Sequence, residues 1–301
     1  MEDRPIDPLT ANYNTSGLDD SKENQLIKYG FELFQNTPKY IGPENGNSEL
    51  AYAGNNLSCT NCHLYAGTKK YSGMLIGVIN RFPQYRGREN KIGTIEERID
   101  GCMERSMNGK KIPKESREMK AFVSYLEWLS RYGPEDGKLD GLGYASFEIP
   151  NRPIDYEKGQ SIFESKCALC HGINGEGVKS KDSPVYIYPP LWGDDSYNNG
   201  AGMTRVITAA QFIKTNMPFG ATYENPILSD EECYDVAGYI NQKERPVKEN
   251  LEADFPDLTK KPVSAPYPPY ADKFSVEQHQ IGPFQPIMDF YKQRFGIIKK
   301  K

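Results

Sequence analysis

Apolar positions fall at helical spacing in four stretches of the chain, arranged as two similar pairs. In the first pair, Asp20-x-x-Glu23 has the form of a capping box and opens a helix whose Ile27, Phe31 and Phe34 recur at i, i+4 and i+7. Thr37-Pro38 is expected to end it. Further along, Lys158-Gly159-Gln160-Ser161-Ile162-Phe163 parallels Tyr29-Gly30-Phe31-Glu32-Leu33-Phe34. In both, a glycine stands four residues before a phenylalanine on one helical face, where the missing side chain allows a second helix to approach closely. Each pair closes with another helix. Met119, Phe122, Leu126 and Leu129 form an apolar stripe ending at Tyr132-Gly133-Pro134, and the box Ser229-x-x-Glu232 opens a helix bearing Cys233, Val236, Ala237 and Ile240. The pattern predicts an internal repeat of two all-α units.

The stretches between are less regular. Residues 1–20 read as a polar, loose lead, which puts the first unit at 21–133. Residues 134–155, rich in Gly, Pro and Asp, read as a linker to a second unit at 156–245. From Pro246 onward, eight prolines in 56 residues argue against regular structure. Yet Phe255, Tyr267, Tyr270, Phe274, Phe284, Phe290, Tyr291 and Phe295 are too many aromatics for a solvated segment. Residues 246–301 are therefore expected to form a Pro-rich C-terminal strap over both units, with only 297–301 frayed.

Each unit contains one C-x-x-C-H: Cys59-Thr60-Asn61-Cys62-His63 and Cys167-Ala168-Leu169-Cys170-His171. This is the attachment signature for c-type haem, in which two thiols form thioethers with the porphyrin vinyls and the histidine becomes the proximal iron ligand. A zinc site of paired C-x-x-C motifs is the bland rival. Such pairs usually stand about 15–20 residues apart, whereas these lie in separate repeats and each has its own histidine. An N-terminal helix, C-x-x-C-H, an irregular loop and a crossing C-terminal helix resemble the class I cytochrome c fold, present here twice. Two covalently bound haem c groups are expected.

Composition agrees with that picture. Only 37% of residues are hydrophobic and mean hydropathy is −0.70, so the core is lean, and two buried porphyrins would supply the missing apolar surface. A net charge of −4 over 37 basic and 41 acidic residues does not indicate nucleic acid or a membrane surface, so any anion site must be local. The longest apolar run, Met74 to Ile79, is too short to span a bilayer and is broken by Gly77. Bacterial haem attachment takes place outside the cytoplasm, and the chain opens Met1-Glu2-Asp3 without a signal-like segment. A periplasmic protein whose export signal has been removed or replaced is expected. Beyond the haem motifs, Cys102 and Cys233 remain, most simply as a disulfide in an oxidising compartment. Cys233 also reads as a buried small hydrophobe, and His279 as a packing or hydrogen-bonding residue.

The sixth ligands decide what each haem does. In the second unit, Asn216-Met217-Pro218-Phe219-Gly220 lies just before the closing helix, where a thioether ligand is expected. Met217 is preferred over Met203 or Lys214 because a loop methionine held by proline suits a soft axial donor. In the first unit the corresponding region is basic and centres on Cys102. Packed thiol or disulfide partner, with Met103 or Met107 on the iron, is one reading. The other is a reactive thiolate whose pKa is depressed by Arg98, Arg105 and Lys110. Charge alone leaves both open.

The segments Arg81-Phe82-Pro83-Gln84-Tyr85-Arg86-Gly87-Arg88, Glu96-Glu97-Arg98-Ile99 and Cys102-x-x-Arg105-Ser106-Met107-Asn108-Gly109 resemble the di-haem thiosulfate dehydrogenases, also known as bifunctional tetrathionate reductases. The likeness continues through both haem motifs, Met217, Tyr270-Ala271-Asp272, Glu277-Gln278-His279 and Gly282-Pro283-Phe284. It implies Cys102 as distal ligand of a catalytic haem, with Arg88, Arg98 and Ser106 lining a pocket for thiosulfate or tetrathionate. It also implies that His63, Cys102, His171 and Met217 are the iron ligands. A redox partner, such as a small soluble or membrane-attached cytochrome c, would exchange electrons with the second haem. One departure is Asn216, where some members place a lysine ligand, so lysine ligand switching is not expected here. The rival functions are a pure electron-transfer di-haem cytochrome and a Sox-type thiosulfate-oxidising subunit.

Overall fold

The computed structural model describes residues 6–300, which form ten α-helices and two small hairpins. In chain order these are α1 (Lys22–Gln35), α2 (Thr37–Ile41), the hairpin β1 (Gln84–Arg86) and β2 (Lys91–Gly93), α3 (Ile95–Met103) and α4 (Arg117–Ser130). There follow α5 (Tyr156–Lys166), α6 (Ala168–His171), the hairpin β3 (Val178–Lys179) and β4 (Tyr186–Tyr188), α7 (Val206–Asn216), α8 (Asp230–Asn241), α9 (Val276–Ile281) and α10 (Gln285–Phe295). Both hairpins are antiparallel; β1 and β2 pair Gln84 with Gly93 and Arg86 with Lys91. Met1 to Pro5 of the expected lead and Lys301 at the strap's end lie outside the described residues.

Two equivalent helix crossings organise the molecule: α1 packs on α4, and α5 on α8. Each depends on the glycine of the repeated segment. A Cβ on Gly30 would stand 2.0 Å from the Ala121 carbonyl oxygen, and one on Gly159 only 2.3 Å from that of Asp235. Around the first crossing pack Ile27, Leu33, Phe34, Met119, Phe122, Tyr125 and Leu129. Around the second pack Ile162, Phe163, Cys233, Tyr234, Val236 and Ile240.

Local capping differs from expectation at the start of α1. Ser21, not Asp20, is the cap: its Oγ accepts from the Asn24 amide, and its extended backbone aims the hydroxyl at the helix end. Asp20 is left to pair with Lys28 at 2.9 Å. Nor does Pro38 simply end a helix. It sits in the first turn of α2, where a missing N–H costs nothing. Thr37 links this corner to the first haem motif, donating to the Leu33 carbonyl at 2.7 Å and accepting from the Cys59 amide at 3.2 Å. The box Ser229/Glu232 closes reciprocally as expected, at 2.9 and 3.2 Å.

The connecting segments pack closely. Tyr71 and Gly73 donate backbone bonds to Gly141 and Gly143, and Tyr144 bridges to Ser72, so 141–144 lies against the first unit. At the other end, buried Asp235 accepts two bonds from Arg152 at 2.7 and 2.9 Å and one from the Asp155 amide at 2.9 Å. The strap buries Phe255, Tyr267, Phe284 and Tyr291. Contrary to the proline argument it contains α9 and α10, because Pro286 stands in the first turn of α10 and Pro283 precedes it. His279, 1% exposed, donates from Nδ1 to the Val263 carbonyl at 2.7 Å, places Nε2 3.0 Å from Asp272, and stacks on Tyr270. The terminal segment is tied down through Lys299, which donates to the Thr259 and Lys261 carbonyls.

Gly30→Ala should force the two helices apart and lower stability by about 3 kcal/mol. Gly17→Ala, where an added Cβ meets nothing within 4 Å, should change stability by less than about 0.5 kcal/mol. Urea denaturation of the haem-loaded proteins measures both; equal midpoints for the two variants would mean that the crossing tolerates a side chain.

Candidate active site

Both C-x-x-C-H motifs close into a helical turn in which the histidine amide donates to the first cysteine's carbonyl at 3.0 Å, His63 to Cys59 and His171 to Cys167. Each imidazole is then fixed from outside. His63 Nδ1 donates to the Gly73 carbonyl at 2.6 Å, and His171 Nδ1 to that of Pro189 at 2.8 Å. Pinning Nδ1 leaves Nε2 as the lone-pair nitrogen for iron and sets the ring's orientation. Gly73 has φ +68°, and a Cβ there would lie 3.0 Å from His63 Nδ1.

Beside the first motif is a largely apolar cavity walled by Phe34, Leu57, Met74, Val78, Phe122 and Leu126 and lined also by Cys59, Cys62 and His63 of the motif and by Arg98, Cys102 and Ser106. Arg81 also lines it, and its Nε is buried with no partner among the described residues. An apolar slot with an anchored histidine, two thiols and an unmatched guanidinium fits a haem with its acidic side chains.

Cys102 is carried by α3, which opens with the reciprocal cap Thr94/Glu97. Arg98 lies one turn earlier, and its Nη1 is 2.6 Å from Cys102 Sγ. Burial opposes ionisation of this thiol, but the Arg98 charge works against it and draws Cys102 below the usual thiol range. In the same cavity, burial pushes the Cys59 and Cys62 thiols up to about 12. Among the three, only Cys102 is drawn toward the thiolate. Arg105 and Lys110 contribute less than their sequence proximity suggests: Arg105 pairs with Asp254 at 2.5 Å, and Lys110 lies over the Tyr52 ring. Among the described residues every cysteine is unpaired, so the expected Cys102–Cys233 disulfide is absent; Cys233 is buried in the second core.

The structure brings Arg98, Cys102 and Ser106 together but sets Arg88 apart. Arg88 Nη1 donates to Asp254 at 2.5 Å, to the Gly200 carbonyl at 2.9 Å and to Tyr267 Oη at 3.3 Å. Among the cavity residues without a role in the sequence analysis are Arg81, which stood in the family segment, and Tyr144, which lay in the presumed linker. In the second unit, Met217 caps the C-terminus of α7 and, like Cys167, Ala168, Leu191 and Trp192, packs against the second core. The alternatives are engaged elsewhere: Lys214 pairs with Asp230 at 2.5 Å, and Met203 lines the first cavity. Asn216 is also occupied, donating to the Tyr71 carbonyl of the first unit at 3.2 Å.

Two all-α units, each with a pinned C-x-x-C-H histidine, define a di-haem c-type cytochrome. Residues 51–134 match the family described as SoxA/TsdA, cytochrome c domain, and residues 156–244 match Cytochrome c. The chain is 41% identical to the thiosulfate dehydrogenase of Thiomonas intermedia (strain K12) over 77% of its own length and 69% of that protein's. It is 38% identical to the thiosulfate dehydrogenase of Allochromatium vinosum, covering 79% of this chain and 84% of the other. It superposes on the thiosulfate dehydrogenase TsdBA of Marichromatium purpuratum with a TM-score of 0.70 at 34% identity, over 78% of this chain and 49% of that one, about half its length. The chain belongs to the thiosulfate dehydrogenase family and carries two covalent haem c groups.

Met217→Gly should abolish the thioether-to-iron charge-transfer band and leave the spectrum of the first haem as it is. Near-infrared absorption of the oxidised protein reads the outcome, and a surviving band would move the ligand to another methionine.

Proposed function

We propose that this chain interconverts thiosulfate and tetrathionate at the cavity around Cys102, with Cys102 as both distal iron ligand and sulfur nucleophile, and with Met217 ligating the second iron. The 2.6 Å contact between Arg98 Nη1 and Cys102 Sγ carries the reading, because it makes a thiolate in an otherwise apolar site. Each bound haem c supplies a one-electron acceptor, so the pair together takes the two electrons released per tetrathionate. The thiolate of Cys102 forms a sulfur–sulfur bond to the outer sulfur of one thiosulfate as two electrons leave. The outer sulfur of a second thiosulfate then attacks that bond, tetrathionate departs, and Cys102 is again a thiolate. Arg98 and Ser106 donate to sulfonate oxygens beside Cys102, and Arg88 adds positive charge from the strap side. Two anions must meet for the bond to form, so these cations lower the barrier as well as bind.

The second unit is the electron exit, and the protein works in the periplasm. Leu169, between the second motif's cysteines, is 95% exposed, and Phe219, two residues after Met217, is 92% exposed. Apolar side chains at a haem edge suit brief docking of a small cytochrome c.

Cys102→Gly separates this enzyme from a pure electron carrier. Turnover in both directions, thiosulfate with ferricyanide and tetrathionate with reduced viologen, should fall to background while both haems stay attached through their thioethers. Near wild-type turnover would reduce Cys102 to a tuning ligand. For the exit, Leu169→Glu combined with Phe219→Glu should slow electron delivery to a small cytochrome c by about tenfold, as expected for loss of interface anchors. Ferricyanide turnover should stay unchanged; equal loss with both acceptors would remove this face from the electron path.

A further inference from the structure

Cys102 and Ser106 both line the first cavity, one near the end of α3 and the other in the turn after it, residues 104–108. Carbonyls at such a place have lost their helical partners and must find others. Four in succession do. That of Glu104 accepts from Asn198 Nδ2 at 2.9 Å, that of Arg105 from the Asn198 amide at 3.2 Å, that of Ser106 from Asn55 Nδ2 at 3.0 Å, and that of Met107 from the Gly54 amide at 2.8 Å. On the helix side, the Arg105 and Met107 amides both donate to the Cys102 carbonyl, at 3.2 and 3.0 Å. Ser106 is therefore bracketed by bonds, and two of them come from one residue of the second unit.

That residue, Asn198, is 1% exposed and has all its polar atoms engaged. Nδ2 also donates to Asn108 Oδ1 at 3.0 Å, Oδ1 accepts from the Gly200 amide at 3.1 Å, and its carbonyl accepts from the Ala201 amide at 3.0 Å. A backbone carbonyl only accepts, so Glu104 settles which end of the side-chain amide is nitrogen. Two donors and an acceptor on so short a side chain are peculiar to asparagine; aspartate has the same shape and, ionised, no donor. The segment is anchored away from the first unit. The Gly193 amide donates to the Glu244 carbonyl at 2.9 Å, and the Asn199 amide to the Pro246 carbonyl at 3.0 Å. Tyr197, next to Asn198 in the chain, lines the cavity together with Cys102 and Ser106.

The turn also has a shape that its own sequence does not favour. Asn108 has a φ of +46°, in the left-handed region that only glycine enters freely. Such a conformation persists where the surroundings over-determine it, and here they do so through Asn198 on its side chain and Gly54 next to its carbonyl. A serine hydroxyl turns about its own bond, but where its Cβ stands is decided by the backbone. Bonding to a sulfonate oxygen needs the two oxygens within about 3 Å, and a loose turn would have to be ordered again at every binding event.

We infer that Asn198 is a positioning residue for the reaction, fixing from the second unit the turn that presents the Ser106 hydroxyl to the substrate. The inference rests on the function proposed above, in which Ser106 donates to a sulfonate oxygen. It adds that the substrate site of the first unit is incomplete without the second. Asn55 ties the two sides from the opposite direction, since its Nδ2 bridges the Ser106 carbonyl and, at 3.1 Å, the Ser196 carbonyl of the second unit.

The test uses haem-loaded wild type, Asn198→Ser, Ser106→Ala, the double variant and Lys179→Ala. Serine keeps an acceptor for the Gly200 amide but is too short to reach Glu104 and Asn108. Asn198→Ser should raise KM for thiosulfate and for tetrathionate by about fivefold, with kcat changed less than about threefold. The visible spectrum of the first haem should stay as it is, since Cys102 is untouched. In the Ser106→Ala background the same change should add less than about twofold, because a residue that acts through another has no separate effect once that one is gone. Lys179→Ala removes a different bond between the units, the pair with Glu44 at 3.1 Å, and should leave KM at the wild-type value. Wild-type KM in Asn198→Ser, a rise of about fivefold in both backgrounds, an equal rise in Lys179→Ala, or a changed first-haem spectrum would each overturn the inference. If Asn198→Ser does not accumulate folded, Asn108→Gly decides: it suits the same φ and removes one of the two side-chain contacts, and wild-type KM in it overturns the inference. Amide hydrogen exchange over 104–108, read without substrate, should be faster in Asn198→Ser than in wild type, and equal rates would overturn the inference. Should wild type itself fail to turn over thiosulfate, the proposed function falls, while the exchange comparison still decides whether Asn198 fixes the turn.

Discussion

Everything in this molecule is hung on a backbone-to-backbone approach made twice, Gly30 against Ala121 and Gly159 against Asp235. At such a distance there is no room for even a methyl group, so each helix pair is locked at one depth of crossing. That depth sets where the C-x-x-C-H turn, following the first helix of each pair, sits against the closing helix. Thr37 makes the link physical in the first unit, bonding the end of α1 to the Cys59 amide. The pinned imidazoles of His63 and His171 then inherit a fixed position from the crossing. A haem presented in a fixed orientation is what both a substrate site and an electron relay need.

Within this frame, what distinguishes the two sites is where charge is left uncompensated. In the second, Lys214 pairs with Asp230, Arg152 with Asp235, and Met217 lies among apolar neighbours. The first site is surrounded by cations of which only some are matched. Arg105 and Arg88 share the single Asp254 carboxylate, whereas Arg98 has no carboxylate in contact among the described residues and turns instead to a thiol. A guanidinium that lacks a carboxylate makes a thiolate favourable, and the same local excess of positive charge makes an oxyanion welcome. In the proposed reaction, nucleophile activation and substrate attraction would thus share one electrostatic cause.

How much of this was legible in the sequence follows from the range of each interaction. The repeat, the paired glycines, the haem motifs and the Ser229/Glu232 cap are encoded within a few residues of one another, and the fold bears them out. Arg98 and Cys102 are also legible, because an i, i+4 spacing on one helix brings their side chains together. Arg88, Arg105 and Asp254 are not, since their partnership spans the first unit and the strap and no local pattern announces it. The helices of the strap were hidden because prolines were read as breakers, when Pro286 occupies the one turn that tolerates it. Tyr144 was lost to a composition argument: Gly141 and Gly143 around it signal a turn, and the turn delivers an aromatic ring into the cavity.

Helix α7 joins these two levels. Its first cap is Arg205 and its last is Met217, packed on the second core. Eleven residues of α-helix span about 16 Å, a rigid rod between Arg205 and the candidate iron ligand. Both ends are tied to the first unit, through Asn198 before the helix and through Thr215 and Asn216, which donate to the Tyr71 carbonyl, at its end. A lysine at 216 would give up this bond between units, which is a structural reason for asparagine there whatever the iron requires. With α7 tied to the first unit at both ends, the placement of Met217, the candidate ligand of the second iron, depends on contacts that the first unit supplies.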